Sequence, residues 1–543
     1  MPAPSAGFHR PLPEPAPSGP AKEPMTRQAG VNIPLFSIRS TTGWGLGEIP
    51  DLVPFARWAA AAGFGAVQVL PVNEVSRGSD SPYGALSAFA LDPVYVGLDA
   101  LEDFAAAGGE AALPADVRAR LEKVRAAERV QWHEVRQLKQ VALERAFDRF
   151  HREEWSRRSE RARALEAFAR DSATWLDDYA LFVALHDDEH GGKPWTDWPE
   201  AQRDREPGAL ADARARHARR LLFLGWIQWQ LALQWREARR QANGTGVELA
   251  GDLPFMVAGD SADVWSLRGD FRTDARVGVP PDAFSATGQD WGLPVYRWDV
   301  MEREGYPWLT RRGARMAELY DVYRVDHVIG LYRTYYFPND GSPARFVPEH
   351  EHDQIRNGEQ VLGILSRGAR LIAEDLGVVP DFVRSSLERL RIPGYRVQRW
   401  EREWKQQGQP FRDPARWPAV SVATTGTHDT ESVAAWYDSI DPAERTALLE
   451  IPGLARLRER SPARFDDGVR DALLEMVYGA GSDVLLIPFQ DAFGMRERVN
   501  TPGTVSGDNW SYRMPHDLGA LWSDAAGRER LASLAARSGR KRG

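Results

Sequence analysis

The chain has 543 residues, 43% of them hydrophobic, which is ample for a barrel with a large insertion or for several domains. A net charge of -8 and an isoelectric point near 5.9 argue against nucleic acid as the main partner. No apolar run approaches the roughly 20 residues of a membrane span, and the absence of cysteine excludes disulfides, thiol catalysis and zinc–thiolate sites.

Taken in order, residues 1–30 are rich in Pro, Ala and Ser without an apolar signal core, and are expected to form a disordered tail rather than a secretory leader. Cytoplasmic residence is the default expectation. Eight short apolar runs bounded by turn residues then read as strands: 31–38, 66–72, 247–254, 322–327, 370–375, 395–400, 422–428 and 484–490. Most follow amphipathic helical patterns, as at 52–62, 383–390 and 465–477. Eight alternating strand–helix units predict a (β/α)8 barrel.

The barrel is interrupted. Residues 31–100 hold its first part, 101–245 a charged, mainly helical insertion subdomain, and 246–543 the remainder. Trp226, Trp229 and Trp235 read as packing a helix of that insertion against the barrel. A second insertion, 258–319, is rich in Gly, Pro and Trp, and 515–543 leaves no room for a C-terminal β-sandwich.

Three carboxylates close strand-like runs. Asp326 ends Asp-Val-Tyr-Arg-Val-Asp-His, Glu374 follows Leu-Ile-Ala, and Asp429 stands in Thr-Thr-Gly-Thr-His-Asp. Carboxylates at strand C-termini face a barrel's mouth. Alternation puts Arg324 on the same inward face as Asp326, where a guanidinium favours the ionised form that a nucleophile needs. The apolar residues before Glu374 favour a retained proton, as a general acid requires. Asp375 should point away into the wall in a supporting role, and His428 with Asp429 offers a donor beside an acceptor for vicinal hydroxyls. His350-Glu351-His352-Asp353 reads as a solvated loop rather than a metal cluster, having no partner ligands at defined spacing.

At this point the residues resemble a family. Gly251-Asp252-Leu253-Pro254, Arg324-Val325-Asp326-His327, Ala373-Glu374-Asp375-Leu376-Gly377 and Gly426-Thr427-His428-Asp429 resemble the four signature regions of the amylomaltases, 4-α-glucanotransferases of the α-amylase clan. The likeness includes Asp80-Ser81-Pro82-Tyr83-Gly84, Pro281-Asp282-Ala283-Phe284, Gly288-Gln289-Asp290-Trp291-Gly292 and Arg498-Val499-Asn500-Thr501-Pro502-Gly503. Two departures are Thr430-Glu431, where many relatives carry Asn-Asp, and a missing Gly-Pro-Gly loop within 335–362. They bear on chain-length preference and acceptor choice.

What the resemblance implies is a retaining double displacement on α-1,4-glucans, with nucleophile and acid/base carboxyls about 5–5.5 Å apart. Asp326 would be the nucleophile, Glu374 the acid/base, and Asp429 with His428 the grip on the sugar at the cleavage point. Asp252 and Arg324 would complete the inner shell, and Tyr83 would stack on that sugar. Asp282, Gln289 and Trp291 resemble acceptor-side contacts, and Asn500 a donor-side loop residue. Substrates would be maltooligosaccharides and longer glucans, with glucose as an acceptor. No metal or organic cofactor is expected, and neither nucleic acid nor membrane as partner. A hydrolase with the same site and a non-catalytic glucan-binding protein are the alternatives.

Overall fold

The computed structural model describes residues 25–76, 78–281 and 288–540. Its frame is a closed barrel of eight parallel strands. In chain order the strands are β1 (Gln28–Asn32), β2 (Ala66–Gln68), β3 (Glu248–Leu253), β4 (Phe271–Val279), β5 (Gln289–Tyr296), β6 (Val322–Val325), β7 (Thr334–Pro338), β8 (Arg345–Val347), β9 (Arg370–Ala373), β10 (Gly394–Val397), β11 (Ser421–Thr424) and β12 (Val484–Pro488). The barrel runs β1-β12-β11-β10-β9-β6-β3-β2 and closes on itself. Among the described residues no strand follows β12, and no helix is long and apolar enough to cross a membrane.

All eight expected barrel strands form, most of them shorter than read. The first is displaced: β1 begins at Gln28, three residues inside the segment read as a tail, and 1–24 lie outside the described residues. Residues 35–37, part of the same apolar run, form a buried 3-10 turn instead. Gln28, Ala29 and Gly30 have little intrinsic preference for a strand, but parallel partners on both sides supply their hydrogen bonds. Likewise β10 stops at Val397, and Gln398–Trp400 turn out of the barrel as a 3-10 helix.

Register sets the heights of the strand ends. Asp252 pairs with Arg324, Arg324 with Ile372, and Val325 with Ala373. Asp326 and Glu374 therefore each sit one residue beyond a paired position, at the same level of the C-terminal mouth. At Gly394, across from Ala373, a Cβ would lie 2.5 Å from the Asp375 carboxylate. That carboxylate is buried, accepts from Tyr395 N at 2.7 Å and pairs with Arg396 at 3.3 Å. Asp375 thus ties β9 to β10 and faces away from the mouth.

Between β2 and β3 lie mainly helical elements, including Trp132–Phe150 and Ala218–Gly244. The tryptophans of the second helix divide their work. Trp235 donates from Nε1 to the Leu319 carbonyl at 2.7 Å and packs on Tyr320, close to the barrel. Trp226 packs instead on Phe147 and Phe150, within the helical region itself. The 258–319 excursion contains a structure the sequence reading missed. β4 and β5 pair antiparallel and join β7 and β8 in a four-stranded sheet of order β5-β4-β7-β8. His350-Glu351-His352-Asp353 is the start of helix Glu351–Leu365, not a loop.

Candidate active site

The mouth of the barrel holds three neighbouring polar groups, around Arg324, Glu374 and Asp429. Arg324, buried on β6, donates from Nη1 to both oxygens of Asp252 at 2.8 and 2.6 Å, and from Nη2 to Asp326 Oδ1 at 2.5 Å. One guanidinium thus holds two carboxylates from adjacent strands. Burial raises the Asp252 pKa, against the opposing charge of Arg324. Tyr83, from the loop after β2, donates its hydroxyl to Asp252 Oδ2 at 2.7 Å.

Glu374 is held differently. Its Oε2 accepts from the His327 amide at 2.8 Å and its Oε1 from the Leu376 amide at 3.0 Å. Burial, reinforced by the charge of Asp326 and opposed by that of Arg324, pushes its pKa up to about 7. The His327 amide reaches Glu374 because the backbone turns sharply after Asp326. His327 has a φ of +45°, a left-handed conformation that non-glycine residues adopt at a cost of order 1–3 kcal/mol. Its ring, held neutral by burial with a pKa near 4, packs edge-on to Trp291 at 4.9 Å and to Phe255 at 5.5 Å.

Asp429 forms the third corner. His428 Nε2 lies 3.2 Å from its Oδ2, and the Asn500 amide donates to its Oδ1 at 2.6 Å. Burial works against the charged form, but His428 and Asn500 more than offset it and hold the carboxyl well below the usual range. In return, Asp429 raises the His428 pKa despite burial. Tyr83 stacks on His428 at 5.2 Å with planes 22° apart, and Trp510 packs at 5.8 Å from both.

Together these groups line a cleft of about 280 Å³, shared by Tyr83, Trp291, Asp326, His428, Asp429, Asn500 and Trp510. Of the other residues named from the sequence, Asp252 and Arg324 are hydrogen-bonded to Tyr83 and Asp326, while the Glu374 carboxylate is bonded to backbone amides and feels Arg324 and Asp326 only through their charge. Gln289 stands exposed at the start of β5, its Oε1 accepting from Trp291 Nε1 at 3.4 Å. Asp282 lies outside the described residues. Trp510, Arg498 and His327 were not singled out beforehand. Arg498 donates to the carbonyls of Asn500 and Asp429, fixing both ends of that corner. Trp510 shares with His327 a positive φ, of +58°, a property without a signature in residue type. Among the described residues no group of three or more His, Asp or Glu is placed to hold a metal ion.

Comparisons with known proteins give the family. A family profile described as 4-alpha-glucanotransferase matches residues 33–518. The chain belongs to the 4-alpha-glucanotransferase family. It is 34% identical over 474 residues to the 4-alpha-glucanotransferase of Thermus thermophilus, covering 85% of this chain and 89% of that protein. The one from Chlamydia pneumoniae is 30% identical over 508 residues, covering 91% and 92%. Among solved structures, the amylomaltase from Streptococcus agalactiae in complex with acarbose superposes with a TM-score of 0.80 at 24% identity, covering 95% of this chain and all of that one. That likeness supports the barrel fold. The activity of this 4-alpha-glucanotransferase is the transfer of glucan segments, and its cleft belongs to a carbohydrate-active enzyme.

Proposed function

We propose that this enzyme moves α-1,4-glucan segments by a retaining double displacement in which Asp326 is the nucleophile and Glu374 the acid/base. One observation carries the reading: two carboxylates at one height have opposite environments. Asp326 is charge-paired with Arg324, whereas Glu374 is poised near neutrality with a pKa of about 7. In the first step Asp326 attacks the anomeric carbon while Glu374 delivers its proton to the glycosidic oxygen, releasing the shorter glucan. In the second, Glu374 takes the proton of an acceptor 4-hydroxyl as that oxygen displaces Asp326, restoring the α-linkage.

Asp429 and His428 grip hydroxyls of the sugar at the cleavage point, and Asn500 orients Asp429. Tyr83 offers its ring to the same sugar, with Asp252 and Arg324 behind it. Trp291 and Gln289 serve the acceptor side, a role that Asp282 takes from the sequence resemblance alone. Maltooligosaccharides and longer glucans serve as donors and glucose as a small acceptor, in the cytoplasm. The working division is a catalytic barrel of 28–100 and 246–543, beginning with β1, with a helical subdomain at 101–245 and a substrate-binding insertion at 258–319.

Incubation with maltotriose tests the reading. Disproportionation yields glucose and a ladder of longer α-1,4-glucans at a constant number of reducing ends. Accumulation of glucose and maltose alone, with reducing ends rising steadily, identifies a hydrolase instead.

A further inference from the structure

Twenty tryptophans occur in this chain. Among the described residues three are exposed, and Trp404, at 57%, is the most open of them. It sits on the segment that leaves β10 at the C-terminal mouth. In the barrel β10 lies between β9, which leads to Glu374, and β11, which leads to Asp429.

This segment is built rather than slack. Arg402 and Phe411 bridge antiparallel, Glu403 N donates to the Pro410 carbonyl at 2.9 Å, and Arg412 N to that of Glu401 at 2.9 Å. A chain of contacts then runs outward from the interior. Buried Trp436 packs on Phe411 at 6.4 Å, and the Arg402 guanidinium lies 3.9 Å from the Phe411 centroid and 5.8 Å from that of Trp404. Glu444 anchors the same guanidinium by an ion pair. Arg402 is thus held between two rings, and it fixes Trp404 while leaving much of the indole open to solvent.

The root of the hairpin is tied to the site. Arg399, stacked over Trp436 at 5.0 Å, donates to the Thr425 carbonyl and to Glu431, on the two sides of His428 and Asp429. The hairpin's charges are largely neutralised locally, Arg412 by Glu401 and Glu403 and Arg402 by Glu444. Along the chain, Trp404 is followed by exposed Lys405 and by the exposed amides of Gln406, Gln407 and Gln409. An open indole held by Arg402 and followed in the chain by three exposed glutamines suits a neutral ligand with apolar C–H faces and many hydroxyls. That is the chemistry of a glucan, and not of an acidic polymer or a lipid surface.

We infer that Trp404 is a stacking platform for the acceptor glucan beyond the cleft, so that it sets the preference for long acceptors. The inference rests on the transferase reading given above. The acceptor side is assigned because β10 adjoins β9, whose acid/base carboxyl meets the leaving and incoming oxygens. β10 also adjoins β11, which leads to Asp429, so an effect on the donor KM instead of the acceptor KM overturns the assignment.

The test uses the full chain and two substitutions, Trp404→Ala and Trp404→Tyr. With α-maltotriosyl fluoride as fixed donor, Trp404→Ala is expected to raise the acceptor KM for maltoheptaose about five- to tenfold. The factor for maltose is expected to be smaller, and kcat to change less than KM. Trp404→Tyr should recover most of the loss, because a ring is what the role requires. Retardation in amylose-containing native gels should weaken in Trp404→Ala, and it reports binding without turnover. Equal KM factors for maltose and maltoheptaose, or undiminished retardation, overturns the inference. Failure of the parent enzyme to disproportionate maltotriose would instead sink the transferase reading, with retardation still reporting on Trp404.

Discussion

Asp326 and Glu374 are both carboxylates at strand ends, one residue past the Val325–Ala373 pair, and their difference is wholly environmental. Asp326 has a guanidinium at 2.5 Å, while Glu374 has two neutral backbone donors and an apolar strand behind it. Proton delivery matters only where the leaving group is poor. Glu374→Gln should therefore be nearly inactive on maltotriose, yet still form a covalent intermediate from an α-glucosyl fluoride, and that adduct should persist. Asp326→Asn should form none and lose several orders of magnitude in rate. Mass spectrometry decides this, and an adduct on Glu374, or one in Asp326→Asn alone, reverses the assignment. The pH dependence has a definite sign. The reactive free enzyme carries a proton on Glu374, so kcat/KM for maltotriose falls as pH rises through about 7. With the fluoride donor that alkaline limb should be absent. Stability follows the same linkage. The folded-state pKa lies above the ordinary 4.5, so the folded form retains a proton that the unfolded chain has already released. The contribution of this group to stability thus declines between pH 4.5 and about 7 and is constant beyond.

The wall of the cleft is also held by the helical insertion. Trp132 donates from Nε1 to the Trp510 carbonyl at 2.9 Å, and Val130 N donates to the Ser511 carbonyl at 2.9 Å. Trp510 keeps its left-handed backbone under these restraints while its ring meets Tyr83 and His428. Trp132→Phe leaves a buried carbonyl without its donor, a loss of about 1–3 kcal/mol. Its thermal midpoint should fall by a few degrees and its KM for maltotriose rise several-fold, with kcat moving less. A lowered midpoint with unchanged KM would make the insertion a scaffold without influence on the cleft. What could be read beforehand follows the same division between local and distant causes. Strand-end carboxylates and alternating strands and helices are local patterns, so the eight barrel strands and the placement of Asp326 and Glu374 at strand ends were legible. Asp429, by contrast, stands in a loop five residues past the end of β11 and not at its end. The β4–β5–β7–β8 sheet was not legible, because the β4–β7 pairing that joins its two hairpins spans some 60 residues and Phe271–Val279 alternates only imperfectly. The contribution of Trp510 depends on a helix nearly 400 positions away, which no local pattern records.

At the scale of the molecule, charge is neutralised from within. Arg324 serves Asp252 and Asp326, Arg136 serves Asp92, and Arg149 with Arg161 serves Asp103. The proposed chemistry needs a nucleophile, a mobile proton and a clamp on hydroxyls, and Asp326, Glu374 and the His428–Asp429 pair supply all three. A cation bound between Asp252 and Asp326 would compete with a guanidinium already making three hydrogen bonds there. In the proposed chemistry no step is assigned to a metal ion, and the Asp252–Asp326 pair is already bridged by Arg324. Exhaustive treatment with a chelator should leave both kcat on maltotriose and the thermal midpoint unchanged within error. Adding back magnesium, calcium, manganese or zinc should raise neither. Activity lost on chelation and restored by one particular cation would show that part of the site's charge balance is external. The Arg324 bridge would then be the first contact to re-examine, by measuring whether Arg324→Lys makes the enzyme respond to that cation.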